Sequence, residues 1–216
     1  MKFILNVVAP GSLLLCTHAC SASGSIGTPT AVNAPTLAAH AIPIDGQLSG
    51  AWRIDDRAGA HVLVLTRKTG PSPAAPQFGR VEKIDLAAVY YRQVRHGKWK
   101  QEWIIRDGVD CPSLDSAADF FKNDVTFTDL NNDSHAEVTV PYHLFCGGSI
   151  DAREVKIILR DGPTKFAIRG ESLVRYPGQE PFGGKHRHDR ALLTPKTVVY
   201  KTHLDRVWRK VFADDR

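Results

Sequence analysis

Short apolar and β-branched runs, each closed by Gly, Pro, Asp or Asn, follow one another from Ala60 to Arg169 and direct the chain towards antiparallel hairpins. Ala60–Thr66 reads AHVLVLT after the turn-like Asp55–Gly59. Val81–Val94 and Lys98–Arg106 flank His96-Gly97, and Glu154–Arg160 and Lys165–Arg169 flank Asp161-Gly162-Pro163. In the first of these hairpins Val89, Tyr91, Trp99, Trp103 and Ile105 are expected to share one face of the sheet. Pro71, Pro73 and Pro76 make Lys68–Gly79 a loop. Ser113–Phe120 reads as a short helix or turn, and Tyr176–Arg190, rich in Gly, Pro and His, as a long loop. Leu204, Val207, Trp208, Val211 and Phe212 recur at helical spacing, so an amphipathic helix from about Lys201 closes the chain across the sheet. The expected fold is mainly β: hairpins forming a sheet, sandwich or partial propeller-like domain, with that C-terminal helix.

The first 22 residues hold one lysine, an apolar run from Phe3 to Leu15 broken by Pro10-Gly11, and then small and polar residues. That order is the pattern of an export signal, the alternative being a buried N-terminal element. Cys20, preceded by Ala19 and followed by serine, is a candidate for lipid attachment, which would be the chain's sole tie to a membrane. Residues 23–44 are nearly free of charge and rich in Ala, Thr, Pro, Ser and Gly, which predicts a flexible linker. One β-rich domain of residues 45–216 remains. Periplasmic or secreted, with outer-membrane anchoring if Cys20 is lipidated, is the expected location.

Loss of Lys2 with the leader takes the formal charge from +5 to +4. With acids and bases interspersed, that gives no reason to expect nucleic acid, even though Arg92, Arg95, His96, Lys98 and Lys100 crowd Tyr90, Tyr91 and Trp99 in one hairpin. Of four cysteines, Cys111 and Cys146 lie in the body. In an oxidising compartment they pair, and closing about 35 residues contributes roughly 3 to 4 kcal/mol. Two buried free thiols are the alternative.

The segment from Asp129 is Asp-Leu-Asn-Asn-Asp-Ser-His-Ala-Glu. Asp129, Asn131, Asp133 and Glu137 occupy positions 1, 3, 5 and 9, with the His135 carbonyl at position 7. Calcium takes about six to eight hard oxygen ligands, and this spacing turns several inward from one tight loop. Position 12 is Val140, so an EF-hand is excluded. Asp and Asn also form turns without any ion, which is the competing reading. With few charged ligands, a bound calcium would be held at about 0.1 to 1 mM. Asp55-Asp56-Arg57-Ala58-Gly59-Ala60-His61 repeats the order of acid, turn, His and strand with most oxygen ligands gone.

The loop resembles the calcium loop of integrin-type FG-GAP and VCBS repeats, whose pattern is Asp-x-Asp/Asn-x-Asp-Gly-x-x-Asp. Ser134 stands where that pattern has glycine, and a left-handed backbone there would cost it about 1 kcal/mol. More widely, Ala51-Trp52-Arg53, the VLVLTR stretch, Trp103–Arg106 with Asp110-Cys111-Pro112, Val125–Asn131, Glu137-Val138, Val155–Leu159, Lys165–Gly170 and His203–Trp208 resemble exported bacterial proteins labelled surface polysaccharide biosynthesis proteins. The resemblance implies export, a β-rich domain and the acidic loop, and brings no catalytic residues.

No nucleophile elbow, His-Glu-x-x-His or phosphate-cradling glycine loop occurs. His186 and His188 form a His-x-His that could hold zinc with one more ligand, but Lys185, Arg187 and Arg190 oppose a cation, so the segment reads as a solvated basic loop. Trp52, Trp103 and Trp208 read as core. The expected role is structural or binding, towards an envelope protein or glycan; the alternatives are an envelope enzyme acting on glycans and a protein inhibitor or immunity-type partner.

Overall fold

β3 (Gly59–Gly70) sets the architecture because its apolar residues alternate perfectly. Leu63 and Leu65 enter one core while Val62 and Val64 enter another on the opposite face. A strand buried on both faces needs a layer on each side. The computed structural model describes residues 25–75, 81–148 and 150–214 and supplies both layers. The proposed leader, with Cys16 and Cys20, lies outside them.

The first sheet runs β1 (Thr30–Ala31), β2 (Gln47–Asp56), β3, β4 (Lys83–Gln93) and β5 (Trp99–Asp110) in sequence order, all antiparallel. The second has β6 (Asp115–Phe120), β8 (Glu137–Gly147), β9 (Glu154–Asp161), β10 (Thr164–Glu171) and β13 (His186–His188) as successive neighbours, with β7 (Thr126–Thr128) also paired to β8. A small third sheet joins β11 (Leu173–Val174) to β12 (Phe182–Gly183) and, in parallel, to β14 (Ala213–Asp214). Between the two large sheets lie Ile54, Leu63, Leu65, Ile84, Trp103, Val138, Val140, Tyr142 and Ile158, among others. The architecture is therefore a mainly β, sandwich-like domain.

Helix α2 (Val198–Val211) covers the outer face of the second sheet. Its Tyr200, Leu204, Val207, Trp208 and Val211 pack on Val155, Ile157, Leu159, Phe166 and Ile168. The buried positions recur at three and four, as the sequence pattern requires, and the helix begins a turn earlier than Lys201. Among the described residues, no helix is long and apolar enough to cross a membrane.

Pro141 lies inside β8, where a proline normally has no place. It falls between the stretch paired to β7, which ends at Thr139, and the stretch paired to β6, which begins at Tyr142. No ladder donor is needed there, and the Pro141 carbonyl still accepts from the Phe121 amide at 3.0 Å.

Four local expectations are corrected. Within the segment expected as a linker, residues 30–44 form β1 and helix α1 (Ala34–Ala39), and Leu37 and Ile42 are fully buried against Ala51, Val62, Val64 and Tyr91. They cover the outer face of the first sheet, a gain that the composition of the segment hides. Ser113–Phe120 is neither helix nor turn over most of its length, because Asp115–Phe120 is β6, paired with β8. Tyr176–Arg190 carries β12 and β13. Finally, Trp99 and Trp103 do not share a face. The β4–β5 register slips between Tyr90/Trp103 and Tyr91/Gln101, leaving Glu102 as an extra residue. This bulge sends Trp103 and Ile105 to the inter-sheet core and leaves Trp99 with Val89 and Tyr91 on the outer face.

Candidate functional site

The acidic loop closes the turn between β7 and β8, where Thr128 pairs with Glu137. Asp129 organises it from the first position: its Oδ1 accepts from the Asp133 amide at 2.9 Å and its Oδ2 from the Ser134 amide at 3.1 Å. Asn131 Oδ1 also accepts from the Asp133 amide at 3.0 Å, and Asp133 Oδ1 accepts from the His135 amide at 2.8 Å. Asn132 and Ser134 take left-handed backbones, φ 59° and 66°. Ser134 thus adopts the conformation for which glycine is suited, without the glycine.

Glu137 is the buried member, 1% exposed. Its Oε2 accepts from the Leu130 amide at 2.8 Å and from Thr128 Oγ1 at 3.1 Å, while Oε1 has no hydrogen-bond partner among the described residues. Burial pushes this carboxyl above its ordinary pKa, against the pull of those donors and of the Asn131 amide, and the nearby Asp161 adds to the rise. Asp129, Asn131, Asp133, His135 and Glu137 are therefore gathered in one loop. Its carboxylates are turned onto the loop's own amides.

The turn of the β2–β3 hairpin docks on this loop. Asp56 Oδ2 accepts from the Ala136 amide at 2.9 Å, its Oδ1 from the Ala58 amide at 2.7 Å, and the Arg57 amide donates to the Ser134 carbonyl at 2.9 Å. The upstream echo of the acidic loop is thus its clasp, with an aspartate serving a backbone amide. Next to the clasp, His61 is 3% exposed and stacks on Tyr90 at 5.0 Å, which in turn stacks on Trp103 at 4.9 Å. Asp56 and Glu102 approach its two ring nitrogens at 3.5 and 3.6 Å. Burial holds the His61 pKa below its usual value although both carboxylates oppose the shift. Asp56, His61, Glu102, Asp133, His135 and Asp161 line a cleft of about 330 Å³ above the aromatic pair. Trp103 and Trp208, both nearly buried, are core residues as expected.

Cys111 and Cys146 form a disulfide, their Cα atoms 5.5 Å apart. It ties the crossover between the two large sheets to the end of β8.

Sequence reasoning missed a further cluster. β13 and α2 bring His186, His188 and Asp205 together with one ligand atom of each within 4.8 Å of the others, a geometry that could hold a metal ion and the one such His, Cys, Asp or Glu group among the described residues. The His-x-His was visible, but its partner lies on another element 17 residues beyond His188. Comparison with protein families, with curated proteins and with solved structures found no match to this chain.

Proposed function

We propose that this chain is an exported, calcium-binding β-rich domain of the cell envelope, related to the proteins labelled for surface polysaccharide biosynthesis, with a structural or binding role. The carrying observation is Glu137: a carboxylate almost wholly buried in the acidic loop, with one oxygen unpartnered. A buried, unsatisfied carboxylate oxygen is unfavourable, and a cation held by Asp129, Asn131, Asp133, the His135 carbonyl and Glu137 would satisfy it. The ion would draw in carboxylates now bonded to loop amides, so its binding is coupled to a small closure of the loop and is weak, at about 0.1 to 1 mM.

Calcium in this reading stabilises the β7–β8 turn and, through Asp133 and His135, one wall of the adjoining cleft. The other cleft carboxylates supply acceptors for the hydroxyls of an envelope glycan, the ligand class this polar surface suits. The test is calorimetric titration of the ion-stripped protein with calcium and then magnesium. Saturable calcium heat, lost in Asp129→Ala and in Glu137→Gln, supports the proposal. An absence of heat and of any melting shift at 10 mM calcium, about ten times the weakest affinity expected, refutes it.

A further inference from the structure

We propose that His186, His188 and Asp205 form a second, chemically different metal site, one for zinc or a similar late divalent transition metal, that cross-links β13 to α2. It is independent of the acidic loop. Two of its three ligands are imidazoles, which suit zinc, copper and nickel and do not suit calcium.

The backbone builds the site deliberately. β13 lies at the edge of the second sheet, paired to β10 with His186 opposite Gly170 and His188 opposite Ile168. The approach is very close at Gly170: a Cβ there would lie 2.1 Å from the Lys185 carbonyl oxygen and 2.6 Å from His186 Cα. Only glycine admits the strand at this distance. Gly183 and Gly184, with φ of 80° and 75°, turn the chain into β13. Because strand side chains alternate, His186 and His188 share a face of β13 and Arg187 takes the other. Arg187 is thereby directed away from the site, and the one ammonium at it, Lys201, is paired with Asp205.

On that shared face α2 presents Asp205 and Trp208. The His186 ring lies 4.6 Å from Trp208 and 5.3 Å from His188. His188 Nε2 meets Asp205 Oδ1 at 2.6 Å, and Lys201 Nζ donates to Asp205 Oδ2 at 2.7 Å, one helical turn away. Lys201 is a positioning residue: it fixes the carboxylate with Oδ1 turned to the two histidines, the outer-shell arrangement that metal-binding carboxylates commonly have. Ligand atoms around a tetrahedral zinc stand about 3.3 Å apart, so His188 and Asp205, now 2.6 Å apart, would part slightly while the widest of the three separations, within 4.8 Å, would close by no more than about 1.5 Å. His186 is exposed, so water can reach the site as a fourth ligand.

The experiment titrates the ion-stripped full chain with zinc chloride by calorimetry, and with cobalt(II) by visible absorption. We expect one equivalent of zinc with affinity tighter than about 10 μM, the intense visible bands of four-coordinate cobalt, and at least a tenfold loss of affinity in each of His188→Ala and Asp205→Asn. Asp129→Ala leaves zinc binding unchanged, and Lys201→Gln weakens it less than the ligand substitutions do. The His188 and Asp205 side chains are 16% and 23% exposed, and far-ultraviolet dichroism checks that each variant keeps the fold. Zinc binding absent at 100 μM, unchanged in His188→Ala and Asp205→Asn, or lost in Asp129→Ala would each overturn the proposal. Failure of the calcium titration leaves these results untouched.

Discussion

Replacing Asp56 by alanine separates the clasp from the loop it holds, and the structure sets the size of the effect. The Asp56 side chain is 4% exposed and accepts from two backbone amides, one of them on Ala136, which is itself buried. A hydrogen bond to a charged group contributes about 1.5 to 3 kcal/mol, and a buried donor left without an acceptor carries its desolvation cost. The Ala58 amide is exposed and finds water, so it adds roughly 0.5 to 1 kcal/mol. The sum, about 2 to 4 kcal/mol, lowers the melting temperature by roughly 4 to 16 °C for a domain of this size. Arg57→Ala is the matched control. The contact there is made by the Arg57 backbone amide, so its melting point should move by no more than about 2 °C. Asp56→Ala should also shrink the melting increment produced by 10 mM calcium, because Ala136 lies between two of the residues proposed to bind the ion. Thermal unfolding followed by circular dichroism reads both quantities. A drop in Asp56→Ala no larger than that in Arg57→Ala would refute the clasp.

Two other substitutions test the frame around the site. Changing Cys111 and Cys146 together to serine removes a bridge spanning 35 residues, which lowers stability by about 3 to 4 kcal/mol as read from the urea midpoint; an unchanged midpoint would contradict it. His203 on α2 is 6% exposed and its Nε2 lies 3.1 Å from the hydroxyls of both Thr126 and Thr139. Burial, with Arg206 and Lys210 nearby, holds its pKa below the ordinary value, so the unfolded chain binds the proton more readily. Its stabilising contribution is then complete above about pH 6.5 and falls as the solution is acidified towards the folded pKa. His203→Gln, which keeps a hydrogen-bonding amide and does not titrate, should flatten the loss of stability between pH 7 and pH 5; parallel profiles would refute the assignment.

The alternation of Val62 to Leu65, the two turn-bounded hairpins and the helical spacing from Leu204 to Val211 were legible because each is a local pattern read against one period. The disulfide was legible because the body holds only two cysteines. What escaped was set by contacts distant in sequence. Nothing near Glu102 announces the bulge; it follows from pairing with β4, and it brings Glu102 to His61 and within 2.6 Å of Arg92. Helix α1 had a local signal in Asn33, whose side chain caps the Thr36 amide at 3.0 Å, and in Pro35 at the helix start. The surrounding uncharged composition outweighed it, since Leu37 and Ile42 gain their burial from the first sheet. Likewise the Asp55–His61 segment read only as an echo of the acidic loop until the fold placed Asp56 against Ala136.

Helix α2 connects the two proposed ion sites, and this determines how they should interact. Leu130 of the acidic loop packs in the core beneath α2, and Tyr200 in the first turn of the helix donates to Asp161 at 2.9 Å, beside the cleft. Asp205 and Trp208, further along, face β13. Each ion would therefore fix a different partner against the same helix: calcium the β7–β8 turn, zinc the sheet edge. Sites with no shared ligand add their effects within about 0.3 to 0.5 kcal/mol when the element between them is rigid. Six residues of α2 are buried along one stripe, which holds the helix against the second sheet. The two ions should thus raise the melting temperature additively. A joint effect clearly larger than the sum would mean that α2 itself docks only when both ions are bound, and that the core beneath it is too weak to hold the helix alone.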